Sequence, residues 1–211
     1  LASVAINSEA NAQNGLQTAK AKGLNLLSGP DGGRALVAAY VQGLTTLPSY
    51  AKILGDPSQV QVEPTAIPFY TRDPSDLPSG GGWESATLDG FVYIVDASGQ
   101  PVMTEEIKTS DPSFAVNAQN TRPVANADAR ATDLSAALAY LATNDQVQNG
   151  SYDVRLVTGM IWLKSNANGP DLFIKLSNGP RTWQANTLYT MDDYQKMVQQ
   201  YNAQRTTNTG G

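Results

Sequence analysis

Four groups of residues have types and spacings that could do chemistry. Ser49 and Lys52 spell S-x-x-K. On a helix this three-residue spacing puts a hydroxyl beside an amine able to take its proton, which is the start of a serine nucleophile. Residues 73–84 have the length of a calcium-binding loop, with Asp73, Ser75, Asp76 and Glu84 as candidate oxygen ligands. Glu84, Asp89, Glu105, Glu106, Asp192 and Asp193 are carboxylates of the kind that work in acid–base pairs. Trp83 and Trp183, which sit among polar residues, and Tyr70 are aromatic residues suited to stacking on a sugar or anchoring a protein partner.

These groups carry all the chemistry open to the chain, because its 211 residues include no histidine and no cysteine. It therefore lacks the side chain that titrates nearest neutrality, the strongest nucleophile, and the soft ligands of zinc and haem iron. Disulfide bonds are excluded as well.

Each catalytic or metal pattern breaks at a required position. The S-x-x-K pair is the pattern of serine β-lactamases and penicillin-binding proteins, and Lys108-Thr109-Ser110 is superficially similar to their later K-T-G strand. Ser75-Asp76-Leu77 lacks the asparagine of their S-D-N motif, and the intervals are too short for that fold. A helix start at Ser49, with Lys52 in solvent, explains the pair. In the calcium-like loop, Leu77 and Pro78 stand where a ligand and a sharp-turn glycine are required. Glu105 and Glu106 are neighbours on a predicted strand and face opposite sides. Asp192 and Asp193 suit the positive end of a helix dipole. Asn149-Gly150-Ser151 is a formal glycosylation sequon that turn chemistry already explains.

Composition narrows the function classes. Charged residues make up only 16% and the formal net charge is −5, so a phosphate backbone or an anionic membrane has no general attraction for the chain. No window carries the roughly 20 apolar residues needed to span a bilayer. Asn, Gln, Ser, Thr and Gly supply the polarity, which fits an extracytoplasmic or particle-forming protein better than a cytosolic enzyme surface. The sequence has no basic segment followed by an apolar one at its start, and begins at Leu1 rather than Met, a start compatible with a processed exported chain but not distinguishing one.

The elements that must position these residues follow from periodicity. Helix is expected over 10–27, then after a Gly29-Pro30-Asp31-Gly32-Gly33 break a second helix carries Leu36, Val37, Tyr40, Val41 and Leu44 on one stripe. Five prolines and three consecutive glycines make 57–82 read as an extended, irregular connection. A hairpin is predicted over 83–108, turning at 96–99, and a long loop over 109–131. Thr132 then caps a helix with Leu134, Ala137, Leu138 and Leu141 on one face. A second hairpin region follows at 152–176. Thr190 and Asp193 form a capping box before a C-terminal helix with the stripe Tyr194, Met197, Val198 and Tyr201. Residues 205–211 read as a polar tail.

The fold class expected is α+β: a mainly antiparallel sheet built from hairpins, with a helical N-terminal segment and a C-terminal helix. The organisation is 1–56 helical, 57–82 connection, 83–204 α+β domain and 205–211 tail, within one domain or two. The functional expectation is a non-enzymatic structural or interaction subunit of an extracytoplasmic or particle assembly. It would self-associate or bind a protein partner, contact no nucleic acid and need no cofactor. The alternative is a small carboxylate-dependent hydrolase or carbohydrate-binding domain.

Overall fold

The computed structural model describes residues 24–26, 29–110, 122–125, 130–179 and 183–208. Among these, nine strands form one sheet: β1 Leu24–Asn25, β2 Val60–Thr71, β3 Thr87–Ala97, β4 Gln100–Lys108, β5 Val124–Ala125, β6 Tyr152–Val157, β7 Met160–Ser165, β8 Leu172–Lys175 and β9 Leu188–Thr190. The helices are α1 Gly33–Leu44, α2 Pro48–Leu54, α3 Ala131–Thr143, α4 Asp145–Gln148 and α5 Met191–Asn208. The class is α+β, and the sheet is mostly antiparallel.

Two antiparallel meanders make the sheet. One runs β2-β3-β4-β5 and the other β6-β7-β8-β9. They join at the centre, where β2 runs parallel to β6 with Phe69 opposite Leu156. β1 extends this junction by pairing parallel to the start of β6. The β3–β4 hairpin turns on Ser98 and Gly99, with φ of 50° and 75°. Two successive positive φ values match the twist of the flanking strands, which is why Ser-Gly serves there.

Strand alternation divides the apolar residues between two faces. Val92, Ile94, Val154, Leu156, Ile161, Leu163, Leu172 and Ile174 pack under α3, whose Leu134, Leu138 and Leu141 are fully buried. Each such leucine contributes about 1.5–3 kcal/mol by leaving water. The opposite face carries two separate clusters. Phe91, Tyr93, Val95 and Ile107 lie under α1 and α2. Trp83, Met160, Trp162 and Phe173 lie under α5, through Tyr194, Met197 and Val198.

Several expectations need correction. Residues 60–71 form a strand inside the sheet rather than an irregular connection. Pro64 lies where pairing is interrupted, in the bulge between Val62 and Ala66, and Pro68 keeps register opposite Phe91 of β3 on a strand whose other side pairs with β6 at one position, Phe69. A missing N–H is tolerated at such places. Of the helix expected over 10–27, most lies outside the described residues, and Leu24–Asn25 is a strand because β6 offers it a free edge. Within 109–131, Val124–Ala125 pairs with Glu106 and Glu105, and 111–121 and 126–129 lie outside the described residues. Helix α3 starts one residue before Thr132, with Arg130 at the cap position and no side-chain cap bond. Helix α5 continues through Asn208, so 205–208 are helical rather than tail. The side chains of Arg205, Thr206 and Thr207 are exposed.

Candidate functional site

The site is assembled by the register of the second meander. Arg155 stands opposite Trp162, Trp162 opposite Phe173, and Phe173 opposite Tyr189. Because side chains alternate, this whole row projects from one face. Tyr70, at the end of β2, adds a ring at one side. Trp83, from the turn that follows the 3-10 segment Leu77–Ser79, lies on top of the row. Its ring centroid is 5.3 Å from Trp162, 4.5 Å from Phe173 and 5.3 Å from Tyr194 of α5. Helix α5 enters this arrangement at a fixed angle because its start is closed by a reciprocal box. Thr190 N–H donates to Asp193 Oδ2 at 3.0 Å, and Asp193 N–H donates to Thr190 Oγ1 at 3.2 Å.

The two buried indole nitrogens are paired. Trp83 Nε1 donates to the Gly80 carbonyl at 3.0 Å. Trp162 Nε1 donates to Asp171 Oδ2 at 2.9 Å, and Asp171 also accepts from Ser165 N–H. Burying an indole N–H without such a partner would cost about 1–3 kcal/mol.

Three cations rest on the rings. Arg72 lies 3.8 Å above Trp83, donating to the Gly81 carbonyl and to the Tyr194 hydroxyl. Lys175, half-buried, is 5.0 Å from the Trp183 ring, and burial lowers its pKa below the ordinary lysine value. Arg155, also half-buried, sits 4.5 Å from the Tyr70 ring and 4.7 Å from the Trp162 ring. Among the described residues Arg155 and Lys175 meet no carboxylate within ion-pair distance, and Arg155 makes no hydrogen bond. A guanidinium held between two rings keeps its N–H fork oriented and weakly hydrated.

The three aromatic residues singled out in the sequence thus meet in one cluster. They do not play one part in it. Trp83 is only 6% exposed, its faces taken by Arg72 and Phe173, so it is floor rather than contact surface. Tyr70 and Trp183 are half-buried and border the surface. The cations were not legible in the sequence. The alternation of β6 places Arg155 opposite the apolar Val154 and Leu156, which reads as solvent-facing; its ring partners come from other strands.

The other candidate residues are dispersed. Asp73 Oδ1 accepts from Ser75 N–H at 2.8 Å and Ser75 Oγ at 2.7 Å, and these bonds lower its pKa. The Asp76 carbonyl accepts from Gly81 N–H, and Glu84 is exposed. Among the described residues no three acidic side chains gather to hold a metal ion. Ser49 and Lys52 are exposed on α2 with no hydrogen bond between them. Asp89 pairs with Lys108, and Glu106 Oε1 lies 3.3 Å from Lys108 Nζ. Glu105 faces the other way, opposite Tyr93 on the ladder under α1. Burial pushes the Glu105 carboxyl up to about 7, and the Tyr93 hydroxyl up to about 12 against the opposing charge of Arg34. An open cleft of about 590 Å³ lies nearby, lined by Gly29, Pro30, Arg34, Ala38 and Gln61 among others, but neither Glu105 nor Tyr93 lines it.

Among the described residues no helix is long and apolar enough to cross a membrane. No family model matches the chain, and neither a curated protein nor a solved structure shows significant similarity to it.

Proposed function

We propose that this chain is a non-enzymatic interaction subunit of an extracytoplasmic or particle assembly, and that it associates through the face bounded by Tyr70, Arg155, Trp183 and Lys175. The observation that carries the reading is Arg155: a half-buried guanidinium stacked on two rings, with no hydrogen bond of its own among the described residues. Arg, Trp and Tyr are the residue types that anchor interface centres, because they bury large areas and keep polar tips for a partner. The dispersal of the candidate nucleophile and carboxylates favours association over turnover.

The test is light scattering on size-separated protein over a wide concentration range. The wild type is expected to exceed the mass of one chain at high concentration. Changing Tyr70 and Trp183 together to serine is expected to leave a folded monomer. A wild type that stays a compact monomer at every concentration would overturn the reading.

A further inference from the structure

We infer that this face binds an acidic polypeptide segment of a neighbouring subunit, whose carboxylates pair with Arg155 and Lys175. The inference rests on the interaction reading above and deepens it by naming the chemistry of the partner.

Burial without a counter-charge singles these two residues out. Among the described residues four cations are half-buried: Arg72, Arg155, Lys164 and Lys175. Arg72 donates to the Gly81 carbonyl and the Tyr194 hydroxyl, and Lys164 meets Asp171 at 3.4 Å. Arg155 and Lys175 make no hydrogen bond and no ion pair among the described residues. Ring faces attract a cation but are poor acceptors, so the guanidinium fork and the ammonium keep their donors for a ligand. Burial lowers the Lys175 pKa, and a carboxylate beside the ammonium opposes that shift.

The two cations lie on one face of the sheet. Arg155 stands opposite Trp162, and Trp162 opposite Phe173; Lys175 follows Phe173 by two residues on β8, so alternation returns it to the same side. A run of contacts joins them there. Arg155 is 4.7 Å from Trp162, which is 5.3 Å from Trp83; Trp83 is 5.3 Å from Tyr194, Tyr194 5.8 Å from Trp183, and Trp183 5.0 Å from Lys175. Two strand spacings across and two residues along separate the Cα atoms of the cations by about 12 Å, which about four residues of extended chain cover.

Carboxylates on a polypeptide suit this face better than a phosphate backbone. On the side of Arg155 away from Lys175, the next row carries Asp153 opposite Lys164, and Asp171 meets the same lysine. Both acids already hold other donors. Asp153 accepts from the side-chain amides of Asn25 and Asn166, and Asp171 from the Trp162 indole and the Ser165 amide. The unpaired positive charge is thus confined to two points and ends at acids on one side. A segment with a few carboxylates matches two points, whereas a run of phosphates continues onto the acids. An arginine–carboxylate pair is commonly bidentate, which orients the segment.

A hexaglutamate peptide capped at both ends tests the site, with hexaglutamine and a thymidylate hexamer for comparison. Tryptophan fluorescence reports binding, since Trp162 and Trp183 lie beside the two cations. Hexaglutamate is expected to bind saturably and hexaglutamine not, and added salt to weaken the binding. Arg155→Gln and Lys175→Gln are each expected to weaken it about fivefold, the loss of one partly exposed ion pair. Lys52→Gln, on the exposed side of α2, is expected to leave it unchanged. Near-ultraviolet circular dichroism checks that each variant is folded, and Lys175→Gln carries the test if Arg155→Gln fails to fold. Saturating hexaglutamate is also expected to lower the mass seen by light scattering, because it takes the place of the neighbour's segment. A wild type that ignores hexaglutamate, or that binds the thymidylate hexamer as tightly, would overturn the acidic segment. So would a Lys52→Gln variant weakened as much as the other two. A mass unchanged at saturation would overturn the neighbouring subunit as its source. The interaction reading is decided separately, by the mass of the free wild type and of the Tyr70 and Trp183 variant.

Discussion

One face of the sheet carries two lids, and they treat polar atoms in opposite ways. Under α1 the core is mostly aliphatic, and two polar groups are buried without partners: the Tyr93 hydroxyl and Glu105 Oε2. Under α5 the core is aromatic, and the indole nitrogens of its two buried tryptophans, Trp83 and Trp162, are both bonded. Arg72, Arg155 and Lys175 lie on the rings of the second region, and the first holds a carboxyl whose ionisation burial opposes. Flat rings account for much of the contrast. They fill volume while leaving edges for hydrogen bonds and faces for cations, which aliphatic side chains do not. The α1 side is thus sensitive to proton uptake, and the α5 side is suited to contact with another surface.

The largest break in this comparison comes from Trp162→Ala. It removes the ring beneath Trp83 and Arg155, and is expected to lower unfolding stability by about 3–5 kcal/mol. A urea midpoint shift with unchanged slope checks it.

Glu105→Gln addresses the α1 side. Burial raises the folded-state value from 4.5 to about 7, so between those pH values the folded chain holds a proton that the unfolded chain has released. Wild-type stability is therefore greatest below about pH 4.5 on account of this group, falls as pH rises to about 7, and is level above that. At about 1.4 kcal/mol for each pH unit between the two values, the full loss is about 3 kcal/mol. The glutamine variant is expected to lack this slope, as measured by denaturant titration at a series of pH values.

Smaller effects sharpen the contrast. Tyr93→Phe removes a buried hydroxyl that has no partner, and is expected to raise stability by about 1 kcal/mol. Gly29→Ala is expected to lower it, since an added Cβ would run into that hydroxyl at a φ of 79°. Part of the loss should return in the Tyr93→Phe background, and a double-mutant cycle measures the coupling. Thr190→Ala opens the box at the start of α5 and is expected to cost about 1 kcal/mol, read as a shift in thermal midpoint.

Some of this was legible from local pattern. The stripe on α3, the hairpin around Ser98-Gly99 and the Thr190–Asp193 box depend on residues a few positions apart, where spacing alone determines which side chains meet. The opposite facing of the neighbours Glu105 and Glu106 followed from strand alternation in the same way. The central strand β2 was hidden by its prolines. They mark a connection unless it is known that the ladder bulges at Pro64 and that β6 pairs with this strand only at Phe69, and only β3 and β6 reveal that. Trp83 looked like a contact residue because its sequence neighbours are polar, yet it is covered by Phe173 of β8, Tyr194 of α5 and Arg72 just after β2.

By itself, then, the sequence determined the fold class, the local caps and turns, and the absence of histidine and cysteine chemistry, because composition and short-range periodicity suffice for these. Tertiary structure alone decided that β2 and β6 lie side by side, that Trp83 is floor and Tyr70 border, and that Arg155 stands between two rings while the nearby carboxylates serve other donors. Those facts depend on cross-strand register and on pairings between distant segments. A charged residue alternating with apolar ones on a strand has the same local signature whether it faces water or an aromatic platform.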